Sequence, residues 1–189
     1  MADVSGRNQA CNEKNEDYGD HKENESKRIE ELLSLEILDT ESEDEFNNIV
    51  SLVAQMTECP VSLISLVDRH RQWFKAKVGL DVSETPRDNS FCDTVIQQGE
   101  VFVIQDTLED ARFRQNALVV NPPHVRFYAA QPLTTSSGYR IGTLCAIDVK
   151  PRILTDLQLQ HLEILARQAT RLMELRLANR RLKSTQEAL

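Results

Sequence analysis

The fold of this chain is decided by residues 61–80, VSLISLVDRHRQWFKAKVGL. Its first eight residues are almost continuously apolar and β-favouring, which is typical of a central strand covered on both faces. A polar turn follows. The next segment alternates, so that one face carries Phe74, Ala76 and Val78 and the other carries Trp73, Lys75 and Lys77. This pattern predicts two consecutive antiparallel strands.

Two helices are predicted before this stretch. Ile29, Leu32 and Leu33 share one face of a short helix that ends in the segment EILDT, residues 36–40. A second helix begins in TESEDEF, residues 40–46, because Thr40 and Ser42 each precede a glutamate at capping-box spacing. Its apolar positions recur with the helical period and are Phe46, Ile49, Val50, Val53 and Met56, and Pro60 ends it.

The segments after residue 80 predict a loop, more strands and a hairpin. A short helix follows a cap at Asn89 or Ser90 and ends at Gly99. VFVIQD is a third strand, residues 107–124 are a loop with a helical turn, and VRFYAAQPL and YRIGTLCAID form a hairpin. The order predicts an α+β fold: an antiparallel sheet of five or six strands with helices on one face, a loop and short-helix insertion on the other, and a long last helix.

The last helix opens with a capping box of Thr155 and Gln158 and runs to about Leu182. Four leucines and one asparagine within it fit the a and d positions of a parallel two-stranded coiled coil, which predicts a homodimer. These residues are Leu165, Leu172, Leu175, Asn179 and Leu182. The alternative is a helix that packs only on its own domain.

Composition and charge limit the classes of function. With 189 residues the chain has the length of one domain, and residues 1–26 are too polar to fold, so we expect a disordered tail there. The formal charge of −8 argues against nucleic acid as a partner. No apolar run approaches the roughly 18 residues that span a membrane, and no signal peptide is recognisable, so we expect a cytoplasmic protein.

The cysteines and histidines predict neither disulfides nor a metal site. Cys11, Cys59, Cys92 and Cys145 lie far apart and form no C-x-x-C pair. The four histidines are scattered, without zinc-ligand spacing. We therefore expect free thiols and no bound metal.

Six segments occur in the order and spacing of a known family: LDTESEDEF, PVSLISLVDRHRQWFKAKVGL, ETPRDNSFC, FVIQDTLEDARF, VRFYAAQPL and GYRIGTLCAIDVKPR. Over about residues 28–176 the chain resembles the GAF sensory domains of bacterial histidine kinases, diguanylate cyclases and cyclic-nucleotide phosphodiesterases. It departs from the most similar subgroup at Ala117 after Asn116, at Asn121 and at Ala130. The resemblance implies a GAF domain over residues 27–176 and a helix extension, a possible signalling coiled coil, over residues 177–189.

The resemblance also implies a non-catalytic sensor whose ligand cavity lies between the sheet and the insertion. The resemblance identifies neither the ligand nor a cofactor, and a kinase, cyclase or phosphodiesterase is a possible effector partner. A lid formed by residues 84–96 and 106–121 is expected to shift the pairing or rotation of the last helix. The candidate ligand-binding residues are Trp73, Lys75, Phe91, Cys92, Asp106, Arg112, Phe113, Arg126 and Tyr128.

Several of these residues have a second interpretation. Trp73 is an aromatic wall of the cavity or ordinary packing. Arg112 is an anion clamp or the partner of Asp106 or Asp110 in an ion pair that closes the loop. Arg126 and Tyr128 point to the same side of their strand, towards the cavity or towards solvent.

Cys92 has three interpretations. A phytochrome-like thioether to a tetrapyrrole usually has a neighbouring His, and here Asp93 stands there instead. Free-methionine-sulfoxide reductases, which are thiol-dependent GAF enzymes with resolving cysteines, carry a cysteine in the segment that matches NPPHVRFYAAQPL, and this segment has none here. Cys145 lies in the apolar strand GTLCAI and is expected in the core. A structural role for the Cys92 thiol is therefore favoured.

For the chain as a whole, the remaining alternative to a ligand-binding sensor is a GAF module that only dimerises.

Overall fold

The computed structural model describes residues 23–88 and 90–188. Within them a six-stranded sheet has the order β3-β2-β1-β6-β5-β4, and every neighbouring pair is antiparallel. The strands are β1 Val61–Val67, β2 Arg71–Val78, β3 Glu84–Pro86, β4 Phe102–Ile104, β5 Phe127–Thr134 and β6 Arg140–Asp148. The helices are α1, residues 23–34, α2 Asp44–Thr57, α3 Phe91–Gln98, α4 Ala117–Val120 and α5 Asp156–Glu187. The predicted α+β architecture is confirmed.

The sheet separates two apolar cores. On one face α1, α2 and α5 pack against the strands, with Leu32, Phe46 and Met173 among the buried side chains. On the other face α3, α4 and the connecting loops cover Leu63 and Cys145. The central strand β1 is therefore buried on both faces, as its continuous apolar sequence predicted.

The first helix differs from the prediction at its start and on its face. Residues 23–26, assigned to the tail from the sequence, are helical, and residues 1–22 of that tail lie outside the described residues. Ile29 and Leu32 are buried, but Leu33 is 51% exposed, and Leu35 and Ile37 beyond the helix fill the core in its place. The chain therefore continues its contact with the core after the helix ends.

The capping box predicted for α2 is wrong. The helix begins at Asp44, and its N-cap residue Glu43 makes no capping hydrogen bond with its side chain. Thr40 instead donates to the carbonyl of Ile37, and Ser42 accepts from the side chain of Asn47. The Glu43 carboxylate is engaged elsewhere in the fold, which explains why capping spacing alone failed here.

The capping predictions for α3 and α5 are confirmed. Ser90 accepts a hydrogen bond from the backbone N–H of Asp93, and Gly99 ends α3 in the left-handed conformation. Thr155 and Gln158 form the reciprocal capping box of α5, which continues past the predicted end to Glu187. The loop predicted before α3 contains the short edge strand β3.

A β-bulge in β2 changes the predicted alternation of its side chains. Ile64 pairs with Ala76 and Ser65 pairs with Phe74, so Lys75 is an extra residue without a partner on β1. Trp73 and Ala76 consequently lie in the helix-covered core, whereas Phe74 lies in the core under the insertion. The prediction that Phe74, Ala76 and Val78 share one face is therefore wrong.

The last helix has an apolar stripe that its own domain leaves uncovered. The stripe consists of Leu157, Ile164, Leu175 and Leu182, the last two being 60% and 63% exposed. At about 100° per residue these four positions fall within about 20° of one another, opposite the buried face of α5. Of the predicted seam, Leu165 and Leu172 instead pack partly against the core and Asn179 is exposed. Among the helices of residues 23–88 and 90–188, none is long and apolar enough to cross a membrane.

Candidate ligand cavity

A cavity of about 290 Å³ lies between the sheet and the insertion. Its walls come from β1, β2, α3, β5 and the end of β6, together with the loop around Pro123. Most of the lining is apolar, with Leu63, Phe74, Phe91 and Val125 contributing large side chains. Three of the candidate residues from the sequence line the cavity: Phe91, Cys92 and Tyr128.

The polar side chains in the cavity wall already have partners within the protein. Gln72 donates to Thr85 over 3.1 Å and accepts from the buried hydroxyl of Ser65 over 3.3 Å. Asp148, at the end of β6, pairs with Arg152 and accepts from the backbone N–H of Val149. The wall therefore offers a ligand apolar contact and few vacant polar groups.

Cys92 is surrounded by hydroxyl and thiol groups. Its sulfur lies 3.2 Å from the Tyr128 hydroxyl and accepts a hydrogen bond of 3.2 Å from Thr143 Oγ1. Cys145 lies two residues from Thr143 on the same face of β6 and belongs to the same buried cluster as Cys92. All four side chains are buried. Cys92 stands in the first turn of α3, where the helix N-terminus favours negative charge.

These donors determine the acidity of the cluster. Hydrogen bonding from Cys145, and then from Thr143 and Tyr128, outweighs burial and lowers the pKa of Cys92 to about 6. The hydrogen bond with Cys92 and burial raise the pKa of Cys145 well above its usual value. Burial, followed by the negative charge of the neighbouring thiolates, raises the pKa of Tyr128. Cys92 is therefore the thiol of the pair that ionises first.

Sequence reasoning missed the two partners on β6. Thr143 and Cys145 are two residues apart, so they point to the same face of their strand. The two-residue spacing in GTLCA indicates that Thr143 and Cys145 share a face of the strand. Their proximity to Cys92 depends on where α3 crosses the sheet, which the sequence does not indicate. The expectation that Cys145 lies in the core is confirmed by its complete burial.

An aromatic cluster closes the cavity beside Cys92. The Phe91 ring stacks on Phe113 at 4.8 Å and on Tyr128 at 4.9 Å, and Phe102 meets both of these rings edge-on. Arg112 lies over the rings of Phe102 and Phe113 from outside. Phe113 is thus a neighbour of the cavity wall.

The arginines near the insertion are already paired with carboxylates. Arg112 binds Asp110 through two hydrogen bonds of 3.0 and 2.7 Å, which is the loop ion pair of its second interpretation. Arg126 binds Asp106 in the same bidentate way, at 2.8 and 2.6 Å. Each pairing lowers the pKa of the carboxyl group through the arginine hydrogen bonds. These predicted site residues form two ion pairs at the surface of the insertion.

Trp73 and Lys75 lie on the helix-covered face of the sheet, away from the cavity. The side chain of Lys75 is fully buried, and its ammonium donates to Glu43 over 2.6 Å. The same carboxylate oxygen of Glu43 accepts from Arg176 of α5 over 2.7 Å. The β2 bulge is therefore connected to the last helix through one half-buried carboxylate.

A second ion network connects the insertion to α1. Arg87 pairs with Asp93 of α3 and, over 2.6 Å, with Glu25 of α1. Glu25 also pairs with Arg28, whose guanidinium donates to the carbonyl of Val67. This network therefore connects the first turn of α3 to α1 and to the end of β1.

No group of three or more histidine, cysteine, aspartate or glutamate side chains in residues 23–88 and 90–188 is arranged to hold a metal ion. Within the same residues Cys59, Cys92 and Cys145 are free thiols. The remaining cysteine, Cys11, lies outside them.

Comparison with known proteins identifies relatives of this arrangement. The sequence model of the GAF domain matches residues 41–172. The chain is 40% identical over 130 residues to a cyclic di-GMP phosphodiesterase of Pseudomonas aeruginosa, an alignment that covers 69% of this chain and 22% of that protein. The chain thus spans less than a quarter of that relative's length.

Solved structures show the same fold at low sequence identity. The GAF domain of an Acinetobacter phosphoenolpyruvate-protein phosphotransferase superposes with a TM-score of 0.58, at 18% identity over 79% of this chain and 92% of the other. The type II free methionine-R-sulfoxide reductase of Thermoplasma acidophilum superposes with a TM-score of 0.57, at 12% identity over 69% and 90% of the two chains. At these sequence identities, the two similarities show a shared fold and nothing about activity.

Proposed function

The chain belongs to the GAF domain family, and on that premise we propose that it is a sensory domain that binds a small uncharged ligand and regulates a signalling effector. The observation that carries the proposal is the apolar cavity of about 290 Å³ between sheet and insertion. Concave, mostly apolar pockets with a few convergent polar groups are the usual ligand sites of proteins.

The size of the cavity limits the ligand to roughly a dozen non-hydrogen atoms. A cavity of about 150 Å³ holds one benzene molecule, and this one is about twice as large. The polar side chains of the wall, Gln72 and Asp148, already have partners within the protein, so the binding free energy comes from burial of apolar surface. We propose a compact aromatic or branched aliphatic molecule carrying at most one or two polar atoms.

Charge complementarity disfavours a nucleotide. A phosphate group buried in the cavity needs a cation beside it, because burying an unpaired charge is costly. Arg112 and Arg126 form surface ion pairs, and Lys75 is engaged by Glu43 on the opposite face of the sheet. Cyclic di-GMP, with two phosphates and two guanines, is therefore proposed to be handled by an effector and not by this cavity.

We propose that ligand occupancy reaches α5 through the β2 bulge. Phe74 forms part of the cavity wall, and the next residue, Lys75, crosses to the other face and binds Glu43. Glu43 holds Arg176 on α5. A ligand changes the position of α5 only to the extent that it binds two arrangements with different affinity. The Arg87 and Glu25 network offers the insertion a parallel connection to α1.

The partner proposed for the apolar stripe of α5 is a second copy of the same chain. Four large apolar residues in line along a helix of 32 residues, about 48 Å long, present the same surface on each copy, as a two-fold interface requires. Asn179 and Gln168 flank this stripe without charge. Dimerisation places two C-terminal helix ends together, which suits the control of an effector that follows them.

The proposed effector is an enzyme of cyclic-dinucleotide signalling. This proposal rests on the similarity to the Pseudomonas aeruginosa phosphodiesterase, of which the chain covers 22%. The free buried thiols favour a reducing, cytoplasmic location.

Calorimetric titration with indole, and with indole-3-acetate as a charged counterpart, tests the ligand class. We expect indole to bind with a heat signal, because it matches the cavity in size and polarity, and the carboxylate to bind at least about tenfold more weakly. Leu63→Phe, which fills the cavity, should abolish the signal, and Ile153→Phe at an exposed position should not. Tighter binding of the carboxylate, or indole binding that survives Leu63→Phe, would contradict the proposal.

A further inference from the structure

We propose that Cys92 and Cys145 form a dithiol that a hydroperoxide oxidises to a disulfide, making this wall of the cavity a covalent redox site. The proposal concerns chemistry separate from reversible ligand binding. It rests on the arrangement of four side chains from three elements: Cys92 on α3, Tyr128 on β5, and Thr143 and Cys145 on β6, with both cysteines in one buried cluster.

Access to the site is built into the cavity. Cys92 lines the cavity, so a small oxidant that enters reaches its sulfur, whereas Cys145 is completely buried behind it. The apolar lining admits uncharged molecules, and both hydrogen peroxide and small organic hydroperoxides are uncharged. Cys92 is therefore placed to attack the oxidant, and Cys145 is placed to attack the oxidised sulfur of Cys92.

The first step is attack of the Cys92 thiolate on the terminal oxygen of the hydroperoxide. A sulfur–oxygen bond forms and the oxygen–oxygen bond breaks, so the sulfur is oxidised to sulfenic acid and the peroxide is reduced to an alcohol or water. The leaving oxygen takes the proton that Cys92 released. The hydroxyls of Tyr128 and Thr143, each 3.2 Å from the sulfur, stabilise the thiolate and donate towards the leaving oxygen.

The second step joins the two cysteines. Cys145 attacks the sulfur of the sulfenic acid, a sulfur–sulfur bond forms, and the sulfur–oxygen bond breaks. The departing hydroxide combines with the thiol proton of Cys145 to give water. Two thiols and one hydroperoxide thus yield one disulfide, one alcohol and one water.

The product would fix α3 to β6. Cys92 lies in the first turn of α3, which forms one side of the cavity, and Cys145 lies in the middle of the sheet. The disulfide holds the insertion against the strands, whereas the dithiol leaves the two joined by noncovalent contacts only. Cellular thiols reverse the change.

Cys59 is the matched control within the same chain. It is also buried and free, but its thiol donates to the carbonyl of Thr57 over 3.7 Å, and burial raises its pKa. A thiol of that kind is a poor nucleophile. A Cys11→Ser background removes the cysteine outside the described residues.

The experiment is peptide mass spectrometry of the Cys11→Ser protein after parallel treatments with hydrogen peroxide and cumene hydroperoxide. We expect a disulfide between Cys92 and Cys145, seen as a loss of about 2 Da, formed at least about tenfold faster than any oxidation of Cys59. In Cys145→Ala the sulfenic acid of Cys92 should persist and react with dimedone. In Cys92→Ala the oxidation of Cys145 should fall at least about tenfold.

The two oxidants identify the source of the oxygen. A faster reaction with cumene hydroperoxide points to an organic hydroperoxide that uses the cavity, and a faster reaction with hydrogen peroxide points to the smaller molecule. Oxidation of Cys92 at the rate of Cys59, or resistance of all three thiols to both oxidants, would overturn the proposal. Circular dichroism of each variant confirms that the fold is retained, and Cys145→Ser replaces Cys145→Ala if the latter fails to fold.

Discussion

At the scale of single residues, the hydrogen-bond donors around Cys92 decide its chemistry. A buried thiol in apolar surroundings resists ionisation, yet here donors from Cys145, Thr143 and Tyr128 converge on one sulfur. Cys59, equally buried, has no such donors. The same chain thus contains two buried thiols of opposite tendency.

The first prediction follows from this contrast. Alkylation of Cys92 by iodoacetamide should be half-maximal near pH 6, since the thiolate is the nucleophile and its fraction falls as the pH drops below the pKa. Alkylation of Cys59 should still be rising above pH 9, because burial raises its pKa. Tyr128→Phe or Thr143→Val removes one donor and should move the midpoint of Cys92 upwards. Site-resolved mass spectrometry gives both profiles, and a midpoint for Cys92 at or above that of Cys59 contradicts the assignment.

The second prediction concerns Glu43, whose carboxylate joins Lys75 to Arg176. Glu43→Gln leaves a fully buried ammonium without its counter-ion, and breaking such a pair costs about 3 kcal/mol of unfolding free energy. The control is Asp39→Asn, which breaks an exposed pair with Arg71 and should cost less than about 1 kcal/mol. Urea denaturation measures both, and equal losses would show that the buried connection has no special role.

Single residues also show where the sequence was insufficient. The burial of Tyr128 and Phe91 in one aromatic cluster agrees with their selection as cavity residues. The position of Trp73 depended on the bulge at Lys75, which is set by the pairing of two strands and leaves no local mark in QWFKAKVGL. Arg112 and Arg126 were selected for their charge, but the partner that each carboxylate takes is a property of the folded loop.

At the scale of elements, α5 has two apolar faces with different roles. One face packs on the sheet through Leu162, Ala166 and Met173, and the opposite face carries the uncovered stripe of Leu157, Ile164, Leu175 and Leu182. Large apolar residues in line on a helix favour association. We propose that this second face packs against a second copy of the chain.

The third prediction is therefore that Leu175→Glu combined with Leu182→Glu converts a dimer into a monomer. Four glutamates in the interface would repel one another and lose apolar burial, so sedimentation equilibrium should give half the mass of the wild type. Val101→Glu, at an exposed apolar position on the insertion side, is the matched control and should remain dimeric. A wild type that is monomeric at high concentration, or a double variant that stays dimeric, would refute the stripe as interface.

The fourth prediction concerns the junction of α1 with the insertion. Although burial opposes ionisation, hydrogen bonds from Arg28 and Arg87 lower the pKa of Glu25 from 4.5 to about 2. Because the folded-state pKa is the lower one, the stabilisation is complete above pH 4.5 and is lost as the pH falls towards 2.

Urea denaturation at several pH values measures this effect. The stability difference between wild type and Glu25→Gln should be constant near neutral pH and shrink as the pH falls below 4.5. Glu23→Gln, which breaks an exposed pair with Lys27, should differ little from wild type at any pH. A gap for Glu25→Gln that is unchanged down to pH 3 contradicts the ion network.

Elements were more predictable than their ends. Long apolar or periodic segments identified β1, β2, β5, β6, α2 and α5, because burial imposes those periods on the sequence. Capping spacing was correct at Thr155 and wrong at Thr40, where tertiary contacts of Glu43 took the side chain away from the helix end. The three-residue strand β3 is defined by its pairing with β2 and has no periodicity of its own.

At the scale of the whole molecule, one sheet separates the helix-covered core from the apolar cavity. In the proposed mechanism a signal from the cavity to α5 passes through the sheet at the bulge of β2, or around its edge at the Arg87 and Glu25 network. Both routes consist of buried or half-buried ion pairs. The order of segments along the sequence predicted this architecture, whereas the cavity volume and the ion connections required the packed structure.

The central claim is that the cavity binds a small uncharged molecule without a covalent bond. Native mass spectrometry of the protein purified gently from cells, with a denaturing run on the same sample, tests it most directly. We expect a dimer carrying an adduct of roughly 150 Da per subunit in the native run, the mass of about a dozen non-hydrogen atoms, and bare chains in the denaturing run. Leu63→Phe, which fills the cavity, should lose the adduct, and Val101→Glu should keep it. An adduct that survives denaturation, carries phosphate, or persists in Leu63→Phe would contradict the claim, as would a bare dimer from every preparation.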